Sequence, residues 1–486
     1  MDYNLLAAES CKEKKRSTKD VTFLIIFGIL ILVWINIGIH GFLAGNIPSE
    51  IISDIKLWIN DNKIVEALSY NNLLLIGFIG FAIFLAALFL IMIAWMTKFM
   101  IIMTLCFQLG FLLSFFILSM GFSFCRATQL LFALTIFGIK IYALKKVGMK
   151  IVCKVLQDVI NAVNHHFPSS FIIVLLEFAL GLSVIIFSVT AGAHLLFIKK
   201  TTSQTDLEYG KVDGYSKRFP SNEATGNAAK YTFFENIADA DPPTYVIYLM
   251  SIFICVTISI VCFIGNFRRM LLHGMFTHWY RTLDKQNISN AVSFRYFATI
   301  VRHHMGTIAF SSTIFAIVPA IRALFNSRKD LLRLIKNRPS ALYALCCALW
   351  EMTTNASITC ISNGTSLYQS MKDGLQLAMR NPLKYIILRG VTFGLIELGV
   401  YFILFINVKT EIQLYDLRTS DQDPDLHSLK QATTIAIGIF SLVISAIYLS
   451  IFNNAAEAVI LCLFEESNSS KPIDKDGDYL CENNEA

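Results

Sequence analysis

The sequence predicts an all-α integral membrane protein, a bundle of about ten transmembrane helices with both termini cytoplasmic. Three observations predict it. About ten apolar runs of spanning length fill the chain between Val21 and Phe464, and about 20 apolar residues make a helix that crosses a hydrocarbon core of about 30 Å. The chain is 55% hydrophobic, with 39 Phe and a mean hydropathy of +0.58. Charged residues make up 16% of it, against roughly 25% in a soluble domain. The net charge of +6 is spread through short loops, where basic residues set topology, so it does not point to nucleic acid.

The elements follow in order. Lys12, Lys14, Lys15, Arg16 and Lys19 precede the first run, so the tail 1–20 is cytoplasmic by the positive-inside rule. The membrane-spanning domain then occupies 21–464. Its first run, 21–45, is too long for the apolar region of a signal peptide and reads as a span and anchor. A short, slightly acidic loop (46–71) leads to spans at 72–96 and 99–122, joined by a turn containing Lys98, and to a shorter span at 129–144. Residues 145–166 interleave Lys145, Lys146, Lys150 and Lys154 with apolar positions at helical spacing. That pattern fits an amphipathic helix on the cytoplasmic surface, or an extension of the fourth span.

Span 5 covers 170–198, and the polar segment 199–242 is the expected extracellular loop. Span 6 (243–266) is followed by Arg268, Arg269, Arg281, Lys285 and Arg295, cytoplasmic by charge. Spans 7 and 8, at 297–321 and 341–365, enclose Arg322, Arg328, Lys329, Arg333, Lys336 and Arg338. Strict alternation puts that basic stretch outside, against the charge rule, so one of the two reads as a re-entrant or interfacial segment. Span 9 is 385–407, Asp416, Asp421, Asp423 and Asp425 mark an external loop, and span 10 is 432–463. The acidic tail 465–486 is cytoplasmic in this scheme.

The 11 Cys include no C-x-x-C pair, so neither a disulfide framework nor a metal site is read from them. Cys346 and Cys347 follow a basic stretch and are either packed thiols or palmitoylation sites. The N-x-[ST] sequons at Asn287, Asn355, Asn363 and Asn468 all fall outside the loops assigned to the exterior, so no glycan is expected on them. A P-loop, H-E-x-x-H, G-x-S-x-G and a Rossmann glycine run are all missing, so neither an enzyme nor an ATP-driven pump is expected, and no cofactor.

Short motifs in the second half come in a particular order. His278-Trp279-Tyr280 leads to Asp284-Lys285, and Arg302-His303-His304-Met305-Gly306-Thr307 continues to Ala309-Phe310. Asn355-Ala356, Gly364, Ser366, Lys372-Asp373 and Met379-Arg380-Asn381 follow, then Leu388 and Val391-Thr392. Ala456-Glu457-Ala458, Leu461-Cys462 and Phe464-Glu465-Glu466 close the series. In this order and near gap-free spacing, residues 243–466 resemble the choline transporter-like family of multispan membrane proteins. The resemblance implies membrane transport of choline or a related small organic cation at the plasma membrane, with that cation and membrane lipids as partners. The chain departs from the pattern too. The family's Asp after Val-Thr is Phe393, its Tyr beside the His is His303, and the loop after span 1 is short.

Choline's charged end cannot donate a hydrogen bond, so a site for it needs aromatic faces, with a nearby carboxylate as an optional aid, and one polar group for the hydroxyl. A charge within the bilayer costs roughly 2.5–3.5 kcal/mol and faces the bundle interior, which singles out Glu177, Glu397, Glu457 and Lys140; Glu351 matches no family position. Glu177 is a cation or proton site, or one half of an ion pair with Lys140 as a possible partner. Glu397, four residues after Phe393, either replaces the missing Asp one turn along the helix or is an interior carboxylate bonded to a neighbour. Glu457 stands at the family's acidic position, as a cytoplasmic gate or a helix-end contact. His303 and His304 are candidates for proton coupling, or structural. Trp279 and Tyr280 contribute to a cation cage or to an interfacial aromatic belt. The rivals are a transporter of another small substrate such as ethanolamine, and a membrane scaffold that transports nothing.

Overall fold

The computed structural model describes residues 20–45, 72–119, 124–198, 244–282, 285, 288, 291–313, 356–361, 363–418 and 424–469. The expected tail 1–19, the loops 46–71 and 199–243, and the tail 470–486 lie outside the described residues. So do the basic segment 314–355, with Cys346, Cys347, Glu351 and most of the expected span 8, and the sequon residues Asn287 and Asn355.

The main helices are α1 (Val21–Ala44), α2 (Asn72–Trp95), α3 (Thr97–Ser119), α4 (Phe124–Val147), α5 (Met149–Leu196), α6 (Thr244–Arg281), α7 (Val292–His303), α8 (Leu367–Arg380), α9 (Pro382–Arg418) and α10 (Pro424–Ser469). Among the described residues, six helical stretches are long and apolar enough to cross a membrane. They are Val21–Ala44, Leu75–Trp95, Met149–Leu196, Tyr245–Arg281, Pro382–Leu414 and Gln431–Ser467. Leu32, Ile76, Ile172, Val189, Tyr248 and Phe405 are each more than 60% exposed. An outer surface this apolar suits lipid rather than water.

α10 lies at the centre and packs on α9, α5, α6 and α2. Its residues 448–464 are buried nearly all round, with Leu449, Phe452, Ala455, Ala456, Val459 and Phe464 among them. A stretch covered on every face lies inside the bundle, and its alanines let neighbours approach closely. α1 joins the side of the bundle through a second cluster, in which Phe27, Trp34 and Ile37 meet Ala191, Leu195 and Phe253. Trp34 Nε1 donates to Thr257 Oγ1 at 2.9 Å. Gly399 of α9 sits at a tight crossing, where an added Cβ would lie 2.6 Å from a ring carbon of Phe89. Gly399→Ala is therefore expected to cost about 1–3 kcal/mol through overpacking, read as an earlier unfolding midpoint in detergent.

Three differences from the sequence reading matter for the site. First, 149–166 is neither a separate surface helix nor part of the fourth span. Gly148, at φ 89°, breaks the chain after α4, and the segment runs unbroken through Pro168 into α5. Its apolar stripe (Val152, Val155, Leu156, Val159 and Val163) is buried in the main core, which holds the helix together across the proline.

Second, the described part of the expected span 297–321, residues 297–313, carries a turn at His304. α7 carries Arg295 and Arg302 and buries one face, ends at the turn on His304, and is followed by a second helical piece at 305–313. Third, α5 at 48 residues and α10 at 46 are about 70 Å long, more than twice a hydrocarbon core of about 30 Å. The ends of these helices therefore project beyond the bilayer.

Candidate functional site

The polar side chains of the bundle gather in separate clusters. The largest surrounds Glu457, on the all-buried part of α10. A carboxylate there is stable only if paired and hydrogen-bonded. Arg389 Nη2 of α9 pairs with its Oε1, which also accepts from Asn453 Nδ2 at 2.8 Å. Arg389 Nη1 donates to Asn453 Oδ1 at 3.1 Å. His273 Nε2 of α6 lies 3.0 Å from Glu457 Oε2, and His273 Nδ1 lies 2.6 Å from Ser357 Oγ. A carboxylate only accepts, so Nε2 is the donor, and in the neutral ring Nδ1 accepts from the Ser357 hydroxyl. The network thus ties α6, α9, α10 and the helical piece at 356–361 into one unit.

Glu177 of α5 lies close by and is not paired with Lys140. Its Oε2 is 2.6 Å from Arg268 Nε on α6, and Arg268 Nη1 donates to Ser450 Oγ of α10 at 3.1 Å. Beside Arg268, the buried Arg269 lines a cavity of about 20 Å³ with Asn266, Thr307, Ser311, Ser357 and Leu367. That volume holds about one water, far less than an organic cation. Asp20 covers this region: its Oδ2 accepts from Thr307 Oγ1 at 3.1 Å and from the Leu367 N–H, at the start of α8, at 3.4 Å. An acid at a helix N-terminus is favourably placed. Phe23 stacks on Phe310 at 3.9 Å beside it.

A second cluster joins α3, α4 and α9. Gln108 Nε2 donates to Glu397 Oε2 at 3.2 Å, and Lys140 Nζ donates to Gln108 Oε1 at 3.5 Å. Lys140 reaches this point past Gly390, where an added Cβ would sit 3.2 Å from its Cε. Tyr401, one turn beyond Glu397 on α9, faces Phe107 and Phe111 with ring centroids 5.3 and 6.4 Å away. Four residues advance a helix by about 40° beyond a full turn. Accordingly Phe393 is 56% exposed on the outer face, whereas Glu397 turns inward to α3.

The remaining candidates have other surroundings. Trp279 is buried in the main core, with Lys285 Nζ 3.9 Å from its ring centroid. It lies about 16 Å of helical rise beyond Arg268. Tyr280 donates its hydroxyl to Glu466 Oε2 at 3.1 Å, and Arg281 pairs with Glu465, so the ends of α6 and α10 are clamped together. His304 is buried, with Nδ1 3.3 Å from Cys360 Sγ. Glu177 and Glu457 therefore share one region and Glu397 stands in a second, while Trp279, Tyr280 and His304 have their own neighbours.

Sequence reasoning missed His273, Arg389, Arg268 and Gln108 as partners. Arg389 inside the apolar run 385–407 and Gln108 inside 99–122 were visible as polar interruptions. Nothing local marked His273, whose role depends on how α6 and α10 meet.

The family model described as plasma-membrane choline transporter matches residues 127–468. A choline transporter-like 2 protein of Drosophila melanogaster is 28% identical over 221 residues, 43% of this chain and 27% of the relative. One from Anopheles gambiae is 28% identical over 217 residues, 42% and 27% of the two chains. A choline transporter-like protein 5 of Macaca fascicularis is 24% identical over 243 residues, 46% and 32%. The chain thus spans about a quarter to a third of the length of these relatives. With the match extending over most of its helices, the chain is a multi-pass integral membrane protein and belongs to the choline transporter family.

Proposed function

We propose that this protein moves choline or a related small organic cation across the plasma membrane by alternating access, as a facilitative carrier or coupled to protons. One observation carries the choice of site: the environments of the three candidate carboxylates differ. Glu177 and Glu457 are directly paired with arginine, and Arg269 adds further positive charge beside them. In the conformation described these carboxylates are already taken by the protein's own cations, and the region acts as a closed gate. Glu397 instead contacts a neutral amide, and an aromatic group of Phe107, Phe111 and Tyr401 lies one turn away. Aromatic faces attract a quaternary ammonium, and the nearby carboxylate adds an opposite charge.

A second reading has its own support. Gln108 Oε1 already accepts from a primary ammonium, that of Lys140, a contact that the ammonium of ethanolamine can make and that of choline cannot. The test is radiolabelled uptake into proteoliposomes by wild type, Glu397→Gln and Glu177→Gln, with choline and then ethanolamine. A close, desolvated charge pair is worth about 1.5 kcal/mol or more, so Glu397→Gln should lower uptake about tenfold or further. Folded wild-type protein that takes up neither compound would leave the scaffold reading in its place.

A further inference from the structure

We propose that Lys140 is a tethered counter-cation that neutralises Glu397 when the carrier is empty and gives way to the substrate cation when it is loaded. The inference rests on the transport reading above and deepens it. Its basis is the chain Lys140 Nζ–Gln108–Glu397, with links of 3.5 and 3.2 Å, which joins a cation on α4 to a carboxylate on α9 through one side-chain amide. Gly390 forms the slot through which the lysine stem passes.

The physical need is specific. A carrier that delivers its substrate must return empty, and its binding carboxylate must then cross between the two accessible states without a ligand. An uncompensated charge inside the membrane is costly. A mobile ammonium held one amide away offsets that charge on the return step. Once an organic cation occupies Glu397, the same ammonium is in excess beside it and is pushed back along the Gly390 slot. Arg268 and Arg389 cannot serve in its place, because they are committed to Glu177 and Glu457. The lysine therefore acts as a positioning residue. It touches the carboxylate's partner, not the substrate, and sets the rate of the empty half-cycle.

The test separates the two half-cycles in proteoliposomes. Net uptake into empty vesicles needs the empty carrier to return; exchange of labelled for internal unlabelled choline needs only the loaded carrier. With Lys140→Gln the ratio of exchange to net uptake should rise about tenfold or more, because the return step now carries a bare charge. Lys140→Arg should restore much of the wild-type ratio. Gly390→Val, which narrows the slot and leaves the ammonium in place, should raise the ratio independently. Equal loss of both activities in Lys140→Gln, or an unchanged ratio, would overturn the proposal while leaving the transport reading intact. Wild-type protein that neither exchanges nor accumulates choline or ethanolamine would overturn the transport reading, and the proposal with it.

Discussion

Glu457→Gln is expected to lower the stability of the folded bundle by roughly 3–5 kcal/mol, the cost of removing one partner from a buried ion pair. The substitution keeps the shape of the side chain but leaves Arg389 without this countercharge, on the most completely buried stretch of the protein. The amide introduced there has a single acceptor oxygen, so it can keep the bond from Asn453 or the bond from His273 but not both; the loss comes from the charge and one hydrogen bond and not from a cavity. The measurement is chemical unfolding in detergent of wild type, Glu457→Gln, Arg389→Met and the double variant. Contacting residues couple by about 0.5–3 kcal/mol, so the double variant should cost clearly less than the two single losses added. Strict additivity would show that the pair does not act as a unit. The same variants should loosen α6 from α9 and α10, since Glu457 joins His273 to Arg389.

The second large effect concerns the driving force. If one choline crosses per cycle and the empty site returns neutralised by Lys140, each cycle moves one positive charge. A potential of 100 mV is worth about 2.3 kcal/mol per charge. At about 1.4 kcal/mol per tenfold, an inside-negative potential of that size should accumulate choline about fiftyfold at equilibrium. One-for-one exchange with a proton moves no net charge. It would ignore the potential and follow the pH difference, about tenfold per unit. Proteoliposomes with an imposed potassium diffusion potential, and separately an imposed pH step, distinguish the two. A ratio near unity under the potential, rising with the pH step, would replace the facilitative mechanism by proton antiport.

The long apolar runs were legible because lipid imposes a length and a composition. α1, α2, α9 and α10 all begin within eight residues of the expected boundaries. The boundary expected near Pro168 failed for a tertiary reason: the buried stripe Val152–Val163 continues into the core and carries one helix through the proline. Within the expected span 297–321, average apolarity hides a one-sided pattern. Arg295 and Arg302 belong to an amphipathic helix that stops at His304. Within the site, the presence of buried carboxylates was legible, but their partners were not. In the sequence Lys140 is the possible partner for Glu177, and Arg268 reads into the loop after span 6; the continuation of α6 to Arg281 and its packing against α5 bring Arg268 to the carboxylate instead.

Gly148 has a mechanical consequence. Space around it is open, since an added Cβ would meet nothing within 4 Å. Its φ of 89° is nonetheless one that side-chain-bearing residues avoid. Glycine is thus required by torsion and not by crowding, as in a swivel pin between two stiff rods. α4 is then a lever whose fulcrum lies about 12 Å of helical rise from Lys140. A swing of about 10° there would carry the lysine's attachment point through about 2 Å.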